Sequence, residues 1–115
     1  MALKELSKED ADRVFEALGV VKATGKLRKG TNEVTKAVER GEAKLVVVAK
    51  DVNPKEIVMH LPLLCEEKNI LAVEVPTREE LGSASGLNVP TVAVAIVNEG
   101  DAKKLLKELN DDLRR

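Results

Sequence analysis

Three short apolar runs constrain this chain more than anything else in it. Leu45-Val46-Val47-Val48-Ala49 is unbroken, Leu71-Ala72-Val73-Glu74-Val75 is interrupted once, and Val92-Ala93-Val94-Ala95-Ile96-Val97 is again continuous. Runs this short and this rich in valine do not alternate as a half-exposed strand would. They read as strands covered on both faces. The stretches between them carry helical rather than two-residue spacing. Strands that alternate with helices build a central sheet with helices on both faces.

The punctuation places the remaining elements. Ser7-Lys8-Glu9-Asp10 resembles a capping box, and Val14, Phe15, Leu18 and Val21 follow with helical spacing. Gly19 and Gly25 are expected to mark the end of that helix. Lys26 to Lys29 reads as a short polar edge strand, and Thr31 to Arg40 as a helix ended by Gly41. Asn53-Pro54 is expected to open a helix reaching about Lys68, with Pro54 at its first position and a kink or restart at Pro62. Thr77-Arg78-Glu79-Glu80 caps a short helix running into Gly82. Ala102 to Leu113 closes the chain as an amphipathic helix.

The 115 residues fit one domain, expected over residues 1–115. Apolar residues make up 43% of the chain, enough for a core, yet aromatic residues only 1%, a single Phe. Rows of stacking aromatics that grip single-stranded nucleic acid are therefore excluded. One cysteine, Cys65, excludes an intramolecular disulfide, and with His60 as the one histidine no Cys/His metal site can be assembled. Cys65 follows two leucines and reads as a buried structural thiol, His60 as a packed side chain. No stretch reaches the roughly 20 apolar residues of a membrane span, and the charged first ten residues do not resemble a signal peptide. A cytoplasmic protein that does not enter membranes is the expectation.

Net charge is -1, but its distribution is uneven. Residues 22–44 hold seven bases against three acids, an excess of +4, which leaves -5 for the rest. A local basic surface on an acidic body suits a defined anionic partner. Its centre is Arg28-Lys29-Gly30-Thr31-Asn32-Glu33-Val34-Thr35-Lys36. Gly30 permits a sharp turn, and Thr31 is expected to be the N-cap of the helix, whose free N–H groups attract an anion. At about 100° per residue, Asn32, Glu33, Lys36 and Arg40 share one arc, while Val34, Ala37 and Val38 share another. The first set offers an amide, a carboxylate and cationic donors that can read a base edge. The same spacing also fits a solvated helix face with a Glu33–Lys36 pair worth a few tenths of a kcal/mol.

A second loop, Leu81-Gly82-Ser83-Ala84-Ser85-Gly86-Leu87-Asn88-Val89-Pro90, has two glycines and the apolar side chains Leu87 and Val89. Such a loop either covers core or touches a partner. Its glycines do not follow a strand and open a helix, so a dinucleotide or P-loop reading is poor.

Taken together, residues 28–40, Asp51-Val52-Asn53-Pro54 through His60-Leu61-Pro62, Cys65-Glu66-Glu67-Lys68 and the loop 81–90 resemble the archaeal ribosomal protein L-seven-Ae family, in order along nearly the whole chain. That resemblance implies a three-layer α/β/α sandwich with a central mixed sheet of about four strands. It implies a non-catalytic protein, without cofactor, that binds kink-turn and kink-loop RNA, bends containing tandem sheared G·A pairs. By position, Asn32, Glu33 and Lys36 would contact the guanines. Lys29, Gly30 and Thr31 would follow the backbone at the bend. Ile57, Arg78, Leu87 and Val89 would surround the flipped-out loop nucleotide. Arg40 and Asn88 complete the expected RNA-binding set. Guanine O6 and N7 accept from Lys36 and Asn32, and its N1–H and N2–H donate to Glu33. A regular A-form duplex hides these edges, and a kink exposes them. Ser83 and Asn88 depart from the basic and the acidic or serine residues frequent in relatives.

The implied partners are large-subunit rRNA, box C/D and H/ACA guide RNAs and RNase P RNA. Scaffold and modification proteins would assemble through those RNAs, and the chain would be a monomer when free. The contrasting reading is a small nucleotide-binding enzyme using Gly30 to Glu33 as a phosphate site, although no catalytic His/Asp/Ser or Cys/His set accompanies it. A protein-binding scaffold would not need the basic cluster between Lys22 and Lys44.

Overall fold

A computed structural model describes residues 4–54, 56 and 58–113. Ser7 caps the first helix, α1 (Lys8–Thr24), its hydroxyl accepting from the Asp10 N–H at 3.2 Å. Gly25 ends that helix, whereas Gly19 lies inside it, because Ala17, Leu18 and Val21 bury enough apolar surface to carry the helix through a glycine. The remaining elements are β1 (Lys4–Glu5), β2 (Lys26–Lys29), α2 (Thr31–Glu39), β3 (Leu45–Ala49), α3 (His60–Glu67), β4 (Leu71–Val75), α4 (Arg78–Ala84), β5 (Ala93–Asn98) and α5 (Lys103–Leu113). A 3-10 turn over Gly100–Ala102 leads into α5.

The sheet is mixed, with order β1-β4-β3-β5-β2. β3 and β4 run parallel, joined through α3, and β5 runs antiparallel to both β3 and β2. Every residue of β3 is buried, as its unbroken apolar run demands. By contrast β4, expected to be covered on both faces, alternates: Leu71, Val73 and Val75 are buried and Ala72 and Glu74 only half-buried, because Glu74 breaks the apolar run. α2 packs with α3, and α1 packs with α4 and α5, which supplies the two helical layers. Five strands stand where about four were expected. The extra one, β1, is a two-residue pairing of Lys4 and Glu5 with Val73 and Glu74, too short to leave an apolar pattern in the sequence.

One expected helix is much shorter than its sequence signals. α3 begins at His60, not at Pro54, and the described part of 51–59 is irregular: turns and bends, with Glu56 in 3-10 conformation. Val52 and Val58 are both buried, so these two side chains anchor the connection at the end of the sheet. Proline fits a turn as well as a helix start, which is why Pro54 misleads. Pro62 falls in the first turn of α3, where its missing N–H costs nothing.

Strand register decides what meets at the working end. β3 and β4 finish there at Ala49 and Val75, β5 begins there at Ala93, and β2 finishes there at Lys29 opposite Val94. Four segments therefore converge: the start of α2, the connection 50–59, the start of α4 and the segment 85–92.

Candidate nucleic-acid interface

Gly30, not Thr31, is the N-cap of α2. Its φ of 93° and ψ of 153° lie in a region almost confined to glycine. Its N–H donates to the Ala93 carbonyl at 2.9 Å, and its own carbonyl accepts from the Val34 N–H at 2.9 Å. A Cβ at Gly30 would meet nothing within 4 Å, so the backbone angle alone requires glycine, and the space in front of the turn is open. Thr31 is the first helical residue, and its hydroxyl is buried with no hydrogen-bond partner among the described residues. The expected threonine cap fails because Gly30 occupies the cap position. No side chain then caps the helix, and the first N–H groups, those of Thr31, Asn32 and Glu33, have no carbonyl one turn earlier to bond.

The outward face of α2 matches the expected arc. Asn32, Glu33, Lys36 and Arg40 are exposed, while Val34, Ala37 and Val38 are buried in the core. Glu33, Lys36 and Arg40 line a groove of about 170 Å3 together with Arg28, Ala37 and Glu42. Asn32 is not among its lining residues; it lies one residue before Glu33, at the helix start. Arg28 Nη1 stands 3.8 Å from Glu33 Oε2, with both side chains partly exposed, so the pair is weak in stability and useful mainly for aiming the carboxylate. Sequence reading included Arg28 in the basic run but assigned it no role. Its signal was its place two residues before the turn, on the strand that leads into the reading helix.

The other segments bring further candidates to the same end. Arg78 is exposed at the first position of α4, its backbone N–H donating to Asp51 Oδ1 at 2.9 Å and its Nε 3.6 Å from the same oxygen. Asp51 thus ties the connection after β3 to α4. Asp51 has a place in the sequence resemblance but no role there, because 27 residues separate the pair. Ile57 lies outside the described residues. Leu87, Asn88, Val89 and Pro90 line a cavity of about 420 Å3 with Glu79 and Ser83 of α4. Val89 is 62% exposed, Asn88 is exposed and Leu87 is half-buried. The two readings of this loop therefore divide by residue: Leu87 is partly packed while Val89 points into solvent.

That loop is held by its backbone. The Leu87 N–H donates to the Gly82 carbonyl at 2.9 Å, and the Thr91 N–H to the Arg78 carbonyl at 3.2 Å. A Cβ at Gly82 would sit 2.3 Å from the Val89 carbonyl oxygen, so glycine is required by space at this position. The chain returns toward β5 pressed against α4.

Electrostatics separate this end from another part of the surface. A wider groove, about 720 Å3, runs between α1 and α4 and is walled by Asp12, Glu16, Glu79 and Glu80 over Phe15. Its sign repels phosphate, whereas the α2 groove holds three bases against two acids. Burial pushes the Cys65 thiol up to about 11, so it stays protonated and unreactive at neutral pH, in line with a structural role. His60 is half-buried and more than packing material, since its Nε2 lies 2.7 Å from Thr35 Oγ1 of α2. Among the described residues no group of three or more His, Cys, Asp or Glu could hold a metal ion, and no helix is long and apolar enough to cross a membrane.

Comparison with known proteins places these features in context. The profile of the ribosomal protein L7Ae/L30e/S12e/Gadd45 family matches residues 12–106. Among solved structures, the fold is similar to that of the Giardia lamblia 15.5kD RNA binding protein. The TM-score is 0.93 and identity 30%, over 98% of this chain and 94% of that one.

Proposed function

This chain belongs to the ribosomal protein L7Ae/L30e/S12e/Gadd45 family, and from that premise we propose that it is a non-catalytic RNA-binding protein that reads kink-turn and kink-loop RNA. The observation that carries the reading is the convergence, at one end of the sheet, of a polar-faced helix start with no side-chain cap, the Arg78-bearing start of α4 and the apolar segment 85–92. The face of α2 that carries Asn32, Glu33 and Lys36 is not needed for the core, so it is free to meet a ligand.

The chemistry follows from the groups. Lys36 and the Asn32 amide donate to guanine O6 and N7, and the Glu33 carboxylate, aimed by Arg28, accepts from N1–H and N2–H. Lys29, Arg40 and the open N–H groups of the Gly30 turn meet phosphates along the bend. Leu87 and Val89, with Asn88, Arg78 and the connection after β3, cover an extruded nucleotide without needing an aromatic ring. The protein then acts by selecting the bent RNA conformer and shifting the population toward it. Large-subunit rRNA, box C/D and H/ACA guide RNAs and RNase P RNA are the RNAs this surface would serve, in the cytoplasm, with guide-particle scaffold and modification proteins joining through the RNA.

The test is a fluorescence titration of the intact chain against a kink-turn, a kink-loop, a straight duplex of equal length and ATP. Preferential binding of the two bent RNAs is expected. Equal affinity for bent and straight RNA would refute the reading. Tighter binding of ATP than of any RNA would favour a nucleotide site at Gly30 to Glu33.

A further inference from the structure

Resting on the RNA-binding reading, we propose that His60 is a positioning residue for the reading helix, acting on it through Thr35. Thr35 has one hydroxyl proton, and its Oγ1 donates it to the Thr31 carbonyl at 2.7 Å, the backward bond open to a helical threonine. The 2.7 Å contact between Thr35 Oγ1 and His60 Nε2 must then have the ring nitrogen as donor. The result is a chain of two hydrogen bonds, from His60 Nε2–H to the Thr35 hydroxyl and on to the Thr31 carbonyl.

The value of this chain lies in where the helix start is left open. An ordinary Ser, Thr or Asp cap fixes the first turn by consuming the N–H groups of the second or third helical residue. Here the cap is Gly30, which consumes none. Those N–H groups stay available to a phosphate, but the turn loses its usual restraint. Two contacts replace it without using those donors: the Gly30 N–H on Ala93, and the His60–Thr35 chain on the Thr31 carbonyl. His60 is also the first residue of α3, directly after the connection 50–59. Its bond therefore sets α2 in register with that connection, the two parts of the surface that must grip one RNA together. His60 itself touches no base in this scheme.

The experiment compares the wild-type chain with His60→Ala, His60→Gln, Thr35→Val, Thr35→Ser and the double variant H60A/T35V. Kink-turn affinity is measured alongside melting temperature and amide spectra of the free protein. His60→Ala and Thr35→Val should each weaken kink-turn binding about 5- to 10-fold, and the double variant no more than either alone, because both break one chain. Thr35→Ser, which keeps the hydroxyl, and His60→Gln, which keeps a donor, should return within about twofold of wild type. In the free protein the backbone amides of Asn32 and Glu33 should shift in His60→Ala, and a slowly exchanging imidazole Nε2 proton should vanish in Thr35→Val. Additive losses, or Asn32 and Glu33 amides that stay in place, would overturn the proposal. If His60→Ala does not fold, the Val and Ser variants at Thr35 decide the question. Wild-type protein with no preference for the kink-turn would overturn the RNA reading instead, and the free-protein amides would still judge His60 on their own.

Discussion

The start of α2 and the segment 85–92 sit at the same end of the sheet, but they present their side chains in opposite ways. At α2 the backbone stands open: a Cβ at Gly30 would touch nothing, and glycine is there for its φ of 93°. At 85–92 the backbone is pressed on α4, and Gly82 is there because a Cβ would lie 2.3 Å from the Val89 carbonyl oxygen. The first region displays polar groups whose directions are set by helical geometry. The second displays apolar groups whose path is set by close backbone contact. Directional hydrogen bonds suit discrimination among bases, whereas non-directional dispersion suits a nucleotide recognised for being extruded.

The largest effect that could break this contrast is Gly82→Ala. It should lower stability by about 2–3 kcal/mol, since backbone must move to admit the methyl group. Thermal unfolding checks it, and an unchanged melting temperature would mean the segment is not anchored on α4. Glu33→Ala and Lys36→Ala come next. Each should cost about 1–3 kcal/mol in kink-turn affinity while leaving melting nearly unchanged, because these side chains lie away from the core. Undiminished binding by both would remove the helix face from the interface.

Smaller changes sharpen the difference. Leu87→Ser combined with Val89→Ser should weaken kink-turns and kink-loops unequally, since those RNAs differ where these side chains reach. The accompanying stability loss should be about 1 kcal/mol, owed to the half-buried Leu87 rather than to Val89. Equal losses on both RNAs would assign the loop to structure alone. The smallest effect belongs to Lys29→Ala. It should weaken all RNAs alike and reduce the salt dependence by about one phosphate contact. Altered discrimination between G·A and other pairs would instead make Lys29 a base reader.

Much of this was legible locally. The three valine-rich runs became β3, β4 and most of β5, and the alternation of Val34, Ala37 and Val38 with Asn32, Glu33, Lys36 and Arg40 described α2 before any fold was known. What failed failed where local signals are degenerate. Thr31 and Gly30 are both acceptable caps, and the glycine takes the position in the fold, with its φ of 93° and its N–H bonded to the Ala93 carbonyl of β5. Asn53-Pro54 fits a turn or a helix start, and burial of Val52 and Val58 selects the turn.

The sequence by itself determined the elements and the face each helix must bury, because apolar periodicity acts over a few residues and asks only for some core to exist. The tertiary structure decided which distant groups meet. Arg78 finds Asp51, Glu33 finds Arg28, Thr35 finds His60, and segments far apart in the chain share one end of the sheet. Those pairings depend on strand order and register, which arise from packing the whole core at once, so no window of neighbouring residues contains them.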